Sequence, residues 1–228
     1  MHLTKRNALT ILLLLCTVSL GSAFQAGNAP NKEKLMSPSQ LNAKAPDIFR
    51  AKFDTSKGVF VIEVTRSWAP KGADRFYNLV KNGYYDDCRF FRAVKDFMVQ
   101  FGMNGDPMVN AVWSRAAITD DPVVKSNKRG YVTFAMGGPN SRTAQVFINF
   151  ADRNAASLDP PQYTGFAPFG KVVEGMDVVD SLYTGYGDFP SFGGKGPDAQ
   201  LIYTQGNAYL NKSFPKLDFI KSAVIVTK

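Results

Sequence analysis

Two apolar, strand-like stretches of this chain each carry isolated polar side chains. The first covers residues 90–102 and contains Arg92 and Gln100, and the second covers residues 134–149 and contains Gln145. Apolar runs of this kind are typical of strands that pack against a hydrophobic core. A half-buried guanidinium is costly unless it is hydrogen-bonded, so a strand that served only the core would not carry an arginine. We therefore expect these polar side chains to face partners or a ligand.

The remaining pattern is that of a mainly β protein. From Ile48, apolar and polar residues alternate through two runs separated by a turn at residues 55–58, which predicts a β-hairpin. A helix should begin at Pro70, because proline is favoured at the first helical position, and end before Gly83. The other predicted elements are strands at Arg89–Val94, Phe97–Phe101, Tyr131–Ala135, Gln145–Asn149, Ala167–Val173 and Ala223–Thr227, and a short helix at Met176–Leu182. This order favours an antiparallel barrel capped by two helices, although periodicity alone equally allows a sandwich.

The amino terminus has the layout of a secretory signal peptide. Lys5 and Arg6 form a basic region, an apolar run covers residues 8–20, and small residues follow up to Ala23. A transmembrane anchor is the alternative, but the run is shorter than the roughly 20 apolar residues of a span. We therefore expect residues 1–23 to be cleaved, and the protein to be exported to the periplasm or the extracellular space without a stable membrane span.

Two further segments lie outside the strand pattern. Residues 24–47 are polar and contain three prolines, which predicts a flexible tether ahead of a domain at residues 48–228. Residues 183–218 are rich in glycine and aromatic residues, and we interpret them as an insertion packed on the domain. Within this insertion, residues 198–210 have the apolar spacing of a short helix.

Composition restricts the chemistry that the exported chain could perform. The only histidine is His2, and the only cysteines are Cys16 and Cys88. Cleavage would remove His2 and Cys16, so neither a Ser-His-Asp nor a Cys-His mechanism nor a histidine-ligated metal is possible. We expect no metal and no cofactor. The net charge of +8 is dispersed along the chain, so we expect no nucleic-acid partner. We also expect the protein to be a monomer.

The sequences FFRAVKDFMVQFG (residues 90–102) and FAMGGPNSRTAQVFIN (residues 134–149) resemble the two signature segments of the cyclophilin family of peptidyl-prolyl cis-trans isomerases. The similarity extends more loosely from about Ile48 to Thr227. It implies a closed, eight-stranded antiparallel barrel whose active groove lies on the outer face. Together with the amino terminus, it suggests an exported, bacterial-like member of the family.

The resemblance also implies the roles of individual residues. Arg92 matches the catalytic arginine of the family. The positions that match substrate-binding residues are Phe97, Met98, Gln100, Ala135, Met136, Gln145, Phe147, Leu158 and Phe166. The apolar side chains would hold the proline ring, the glutamines would orient the peptide, and the main chain of Ala135 and Met136 would pair with the substrate backbone. The chain departs from the family at Phe91 and Phe166, where histidine is common, and at Met136, where asparagine is common.

The expected function is that of a peptidyl-prolyl cis-trans isomerase that assists the folding of exported proteins. Its partners would be proline-containing segments of unfolded or partly folded proteins. The alternative is a non-catalytic chaperone or adaptor that binds such segments on the same fold, and such a protein would have no need of Arg92. A third hypothesis is a surface-adhesion or glycan-binding protein that uses the aromatic side chains of residues 183–214.

Overall fold

The computed structural model of the protein describes residues 32–160 and 165–226, which are built on one antiparallel sheet of eight strands. The predicted signal peptide lies outside the described residues. The strands are β1 (Ile48–Thr55), β2 (Gly58–Thr65), β3 (Arg92–Val94), β4 (Met98–Phe101), β5 (Tyr131–Phe134), β6 (Val146–Asn149), β7 (Pro168–Glu174) and β8 (Ile220–Val226). Their order across the sheet is β3-β4-β6-β5-β7-β2-β1-β8. The prediction of a mainly β, antiparallel fold is confirmed.

The sheet forms a half-barrel that is open between its two edge strands, so the expected closed barrel is wrong. In the described residues, β3 and β8 lie at opposite ends of the strand order and share no ladder. The two edges meet only ahead of β3, where Arg89 forms an isolated bridge with Phe219. The free edge of β3 is instead covered by a loop, because the amide of Ala93 donates to the carbonyl of Gly187 at 3.3 Å. The loop at Gly187 therefore occupies the position beside β3 that β8 would take in a closed barrel.

The predicted helix after the first hairpin is present as α2 (Pro70–Lys81), since α1 (Lys32–Leu35) precedes it in the chain. Its buried side chains include Ala73, Phe76 and Val80, which share one face at helical spacing. The ring of Phe76 packs 4.8 Å from that of Phe169 in β7. This helix therefore covers the concave side of the sheet and closes the core with aromatic contacts.

Four further α-helices lie in the described residues, and the third of them is the short helix predicted at Met176–Leu182. They are α3 (Pro107–Trp113), α4 (Ala155–Leu158), α5 (Met176–Asp180) and α6 (Ala199–Ser213). The helix α3 was not predicted, although Asp106 caps its first turn by accepting from the amide of Met108 at 2.8 Å and Pro107 opens it. None of the helices in the described ranges is long and apolar enough to cross a membrane.

The segment ahead of β1 packs on the domain wherever the structure describes it. Leu35 is buried, and its carbonyl accepts a hydrogen bond from the indole of Trp113 at 2.8 Å. Ala45 is also buried, and its amide donates to the carboxylate of Asp74 at 2.8 Å. Apolar side chains within a polar stretch therefore anchor residues 32–47 to the domain. The flexible tether predicted at residues 24–47 lies in part outside the described residues and stays a prediction.

The 183–218 segment packs on the sheet through an apolar cluster of its own. Its main element is α6, which begins after the capping carboxylate of Asp198 and is kinked at Gly206. Ile202 of this helix is fully buried in a cluster that also contains Phe91, the residue before β3. The helix predicted at residues 198–210 is therefore confirmed, whereas the interpretation of the segment as an insertion stays a prediction.

Candidate active site

The pairing of β3, β4 and β6 brings the predicted polar side chains into one hydrogen-bonded row. Arg92 is the register partner of Gln100, and Gln100 is in turn the register partner of Phe147. Nη1 of Arg92 donates to Oε1 of Gln100 at 3.0 Å, and Nε2 of Gln100 donates to Oε1 of Gln145 at 2.9 Å. We call Arg92, Gln100 and Gln145 the polar row.

The alternation of side chains along the strands decides which residues can reach this row. Residues two apart on a strand share a face, and register partners also share a face. The side chains of Val99, Phe101, Val146 and Ile148 point into the main core. Met98, Gln100, Gln145 and Phe147 alternate with them and therefore lie on the opposite, outer face of the sheet.

An apolar cluster adjoins the polar row on this outer face. Its members Met98, Phe147 and Leu158 are buried, separately from the main core. The ring of Phe166 packs edge-on against that of Phe147, with 5.9 Å between their centroids. The half-buried side chains around the cluster are Val94, Phe97, Ala135 and Phe166. We call the cluster and these side chains the apolar wall, and they include every apolar site residue that the sequence predicted except Met136.

Leu158 reaches this wall from a separate element, the short helix α4. The amide nitrogen of the Asn154 side chain donates to the carbonyl of Phe97 at 2.6 Å and to Oδ1 of Asn149 at 2.8 Å. Asn154 is itself buried. These two bonds fix the start of α4 against β4 and β6, and so place Leu158 beside Phe147.

Ala135 and Met136 follow β5 at the border of the site. The amide of Ala135 donates to the carbonyl of Gln145 at 2.9 Å. Within the described residues, neither the carbonyl of Ala135 nor the amide of Met136 makes a backbone hydrogen bond. These two groups are therefore available to an extended peptide, whereas the Met136 side chain packs over Gly165, outside the apolar wall.

Two residues that no sequence pattern indicated bind the ends of the polar row. Nε and Nη2 of Arg92 donate to the carboxylate of Asp188 at 2.6 and 3.0 Å. At the other end, Nε2 of Gln145 donates to the hydroxyl of Tyr203 at 2.7 Å. Both partners belong to the 183–218 segment. The only sequence signal concerned Asp188: a half-buried arginine requires a partner, but this requirement does not say where in the chain that partner lies.

Neither the tyrosine beside the polar row nor the cysteine of the main core supplies a nucleophile for covalent chemistry. Burial raises the pKa of the Tyr203 hydroxyl, although its hydrogen bond with Gln145 acts in the opposite direction. Tyr203 therefore stays neutral at physiological pH. Burial also raises the pKa of the Cys88 thiol, which is enclosed in the main core. Such a thiol is not ionised and cannot act as a nucleophile. The described residues contain no group of three metal-ligating side chains.

Comparison with known families identifies the class to which this fold and site belong. Residues 50–191 match the sequence profile of the family described as cyclophilin type peptidyl-prolyl cis-trans isomerase/CLD. The chain therefore belongs to this family of isomerases, as the sequence resemblance predicted. The match ends before α6, so Tyr203 lies beyond the part of the chain that the profile covers.

Individual relatives from different organisms carry the same description. A peptidyl-prolyl cis-trans isomerase of Acinetobacter baylyi is 35% identical over 129 residues, which covers 56% of this chain and 68% of the relative. Peptidyl-prolyl cis-trans isomerase 10 of Caenorhabditis elegans is 36% identical over 137 residues, covering 57% and 79%. Peptidyl-prolyl cis-trans isomerase-like 3 of Homo sapiens is 34% identical over 134 residues, covering 56% and 78%.

Solved structures agree on the fold. A crystal structure of a cyclophilin type peptidyl-prolyl cis-trans isomerase of Cryptosporidium parvum superposes with a TM-score of 0.55. The superposition covers 79% of this chain and 99% of that one, at 20% sequence identity. A second structure of that protein, determined in the presence of the dipeptide Ala-Pro, superposes with a TM-score of 0.53. The subtype of this chain within the family, exported and bacterial-like, stays a prediction.

Proposed function

We propose that the protein catalyses the cis-trans isomerisation of Xaa-Pro peptide bonds, and that Arg92 donates a hydrogen bond to the prolyl nitrogen as the bond twists. The barrier to this rotation is about 20 kcal/mol, because amide resonance must be broken. No covalent bond forms or breaks, so the reaction needs no nucleophile and no general base. It needs a hydrogen-bond donor aimed at the nitrogen, whose lone pair becomes localised in the twisted state, and an apolar surface for the proline ring.

The observation that carries this proposal is the position of the Arg92 guanidinium beside the apolar wall. Arg92 lies opposite Gln100, which shares a strand face with Met98 of the wall two residues away. Three of the five N–H groups of a guanidinium are donated to described residues: Nε and Nη2 to Asp188, and Nη1 to Gln100. One N–H on each Nη nitrogen therefore remains for a substrate.

The expected contribution of this donor follows from comparable sites in other enzymes. A single preorganised donor aimed at developing negative charge lowers a barrier by about 3 to 4 kcal/mol.

The apolar wall would contribute mainly to binding, because it contacts the proline ring in the ground state and in the twisted state alike. The carbonyl of Ala135 and the amide of Met136, which make no backbone hydrogen bond to the residues that the structure describes, would hold the peptide backbone in register. The substrates would be exposed proline-containing segments, in line with the Ala-Pro dipeptide used with the Cryptosporidium protein.

Exchange spectroscopy by NMR on an Ala-Pro-containing peptide tests the proposal. The purified protein should produce exchange cross-peaks between the cis and trans forms, and an Arg92→Ala variant at equal concentration should produce far weaker ones. Peptide shifts on binding without cis-trans exchange would instead support the non-catalytic chaperone or adaptor.

We propose in addition that the protein acts on exported proteins outside the cytoplasm. The support is the basic region at Lys5 and Arg6, the apolar run that follows it, and the small residues that end at Ala23. Intact-mass measurement of the protein from its natural source should place the amino terminus at Phe24 or within a few residues of it. A protein that retains Met1 would contradict this proposal and leave the isomerase proposal untouched.

A further inference from the structure

The contact between Arg92 and Asp188 differs from an ordinary surface ion pair. It is bidentate, with N–O distances of 2.6 and 3.0 Å, so the planar guanidinium has one defined orientation. The two side chains are only 18% and 23% exposed. Partial burial reduces the screening that makes most exposed pairs weak.

Aromatic rings add to the restraint on the same guanidinium. Its central carbon lies 5.4 Å from the ring centroid of Phe189 and 5.2 Å from that of Phe192. Both distances are within the range of cation–π attraction. Phe189 in turn stacks on Phe91, with 5.8 Å between centroids and 18° between planes. The aromatic residue at position 91, where histidine is common in the family, thus supports the loop that holds Arg92.

The loop at residues 187–196 is shaped around Asp188. The amide of Phe189 donates to Oδ1 of Asp188 at 2.7 Å, and the amide of Gly196 donates to the carbonyl of Asp188 at 2.8 Å. A Cβ atom added to Gly194 would lie 2.0 Å from that same carbonyl oxygen, so only glycine fits there. The glycines that the sequence concentrates in this loop therefore fix the position of one carboxylate.

The loop is also tied to the strand that carries the arginine. The amide of Ala93, the residue after Arg92, donates to the carbonyl of Gly187, the residue before Asp188. The carboxylate and the guanidinium thus face each other from adjacent, bonded backbones. The carboxylate accepts hydrogen bonds from the Nε and Nη2 edge of the guanidinium. One N–H on each Nη nitrogen makes no hydrogen bond to a described residue.

From this arrangement we propose that Asp188 is a positioning residue for Arg92, which fixes the plane and direction of the guanidinium so that its remaining N–H groups point at the prolyl nitrogen. The kinetic part of this inference rests on the proposed isomerase function. A flexible arginine would reach the same nitrogen only part of the time, and small errors in the placement of a catalytic donor are costly. The alternative effect of the carboxylate would be to hold Arg92 away from the substrate and inhibit the enzyme.

Substitution of Asp188 separates these two effects. Asp188→Ala should lower kcat about tenfold or more while KM changes less than twofold. Asp188→Glu, which keeps a carboxylate, should recover part of kcat. The matched control is Asp180→Ala, which removes another bidentate pair, with Arg129, at an exposed position that belongs neither to the polar row nor to the apolar wall. This control should leave kcat and KM unchanged.

A spectroscopic readout keeps the inference testable without catalysis. The Nε–H proton of Arg92 should give a slowly exchanging NMR signal in the unaltered protein, because it is donated to a partly buried carboxylate. That signal should broaden or disappear in Asp188→Ala. An unchanged signal, or a kcat in folded Asp188→Ala that equals or exceeds that of the unaltered protein, would overturn the inference. A protected signal in a protein without isomerase activity would instead refute the proposed function and leave the contact established.

Discussion

The apolar wall and the polar row lie side by side, but their supports come from different parts of the chain. The wall is formed by residues 94–166, which lie on β3, β4, β6, the short helix α4 and the loop positions directly beside the strands. The row lies beside it on β3, β4 and the start of β6, but the partners that bind its two ends, Asp188 and Tyr203, belong to the 183–218 segment.

The difference follows from what each kind of side chain requires. An apolar side chain is held by close packing from any direction, so residues of neighbouring strands are sufficient to fix Phe147. A guanidinium must be satisfied by directional hydrogen bonds, and Gln100 supplies an acceptor for only one of the five N–H groups of Arg92. A second partner had to come from outside the sheet. The geometry of the polar row should therefore be more sensitive than that of the apolar wall to substitutions at positions distant in the sequence.

The largest expected effect is the loss of the donor itself. Arg92→Ala should lower kcat/KM about 100- to 1000-fold, the cost of removing one preorganised donor. Arg92→Lys should recover little, because a flexible point charge cannot reproduce the direction of the planar fork. Steady-state kinetics on the three proteins measure both effects.

The comparison must use variants that fold, because Arg92 also joins the 183–218 segment to β3. A melting temperature within a few degrees of that of the unaltered protein is the criterion. Near-normal isomerase activity in a folded Arg92→Ala protein would contradict the proposed mechanism.

The second effect concerns the wall. Phe147→Ala should raise KM about tenfold or more, because a buried aromatic contact with the proline ring is lost, and should change kcat much less. Peptide titration followed by NMR gives the affinity directly. Since Phe147 is only 5% exposed and also stabilises the fold, Phe147→Leu serves as a milder variant. A selective fall in kcat in both variants would mean that the wall, like the row, acts on the twisted state.

A smaller effect should follow from a change that touches neither the wall nor the row. Gly194→Ala places a methyl group against the carbonyl of Asp188 and must shift the loop. We expect a several-fold decrease in kcat with little change in KM, in the same direction as Asp188→Ala but weaker. Unchanged kinetics would show that the position of the carboxylate tolerates movement of its loop.

The smallest expected effect is a change in the free energy of unfolding with pH, without a change in catalysis. Burial raises the pKa of the half-buried Asp86 carboxyl to about 6, although a hydrogen bond from the amide of Ala223 acts in the opposite direction. Between about pH 4 and pH 6 the folded protein therefore holds a proton that the unfolded chain releases. The free energy of unfolding should fall as pH rises through this window and then level off.

For a partly exposed group, the size of this change is about 1 kcal/mol. Asp86→Asn should flatten the pH dependence of unfolding in denaturant and leave kcat and KM unchanged, because Asp86 lies outside the wall and the row. A pH dependence of unfolding that persists unaltered in Asp86→Asn would assign it to another group.

The sequence predicted best those features that depend on neighbours in the chain. The first hairpin has the expected turn because Gly58 provides its positive φ of 133°. Strand alternation puts Met98 and Gln100 on one face, and the family resemblance implied that this face is the outer one. The resemblance to the family added the grouping of distant residues such as Leu158, which no periodicity reveals.

The features that the sequence did not predict depend on contacts between distant segments. Asp188 lies 96 residues from Arg92 in the chain, within a glycine-rich loop that has no periodic pattern. The packing of residues 32–47 depends on the few apolar side chains of a polar stretch, among them Leu35. The open edge of the sheet arises because the loop at Gly187, rather than β8, pairs with β3.

A double-mutant cycle on kcat tests most directly the claim that the remote segment acts through the catalytic arginine. The four proteins are the unaltered chain, Arg92→Lys, Asp188→Ala and the double variant. If Asp188 acts by orienting the arginine fork, its removal should lower kcat about tenfold in the unaltered background and have almost no effect once Arg92 is lysine. Equal losses in both backgrounds would mean that Asp188 acts independently of Arg92, and would contradict the account.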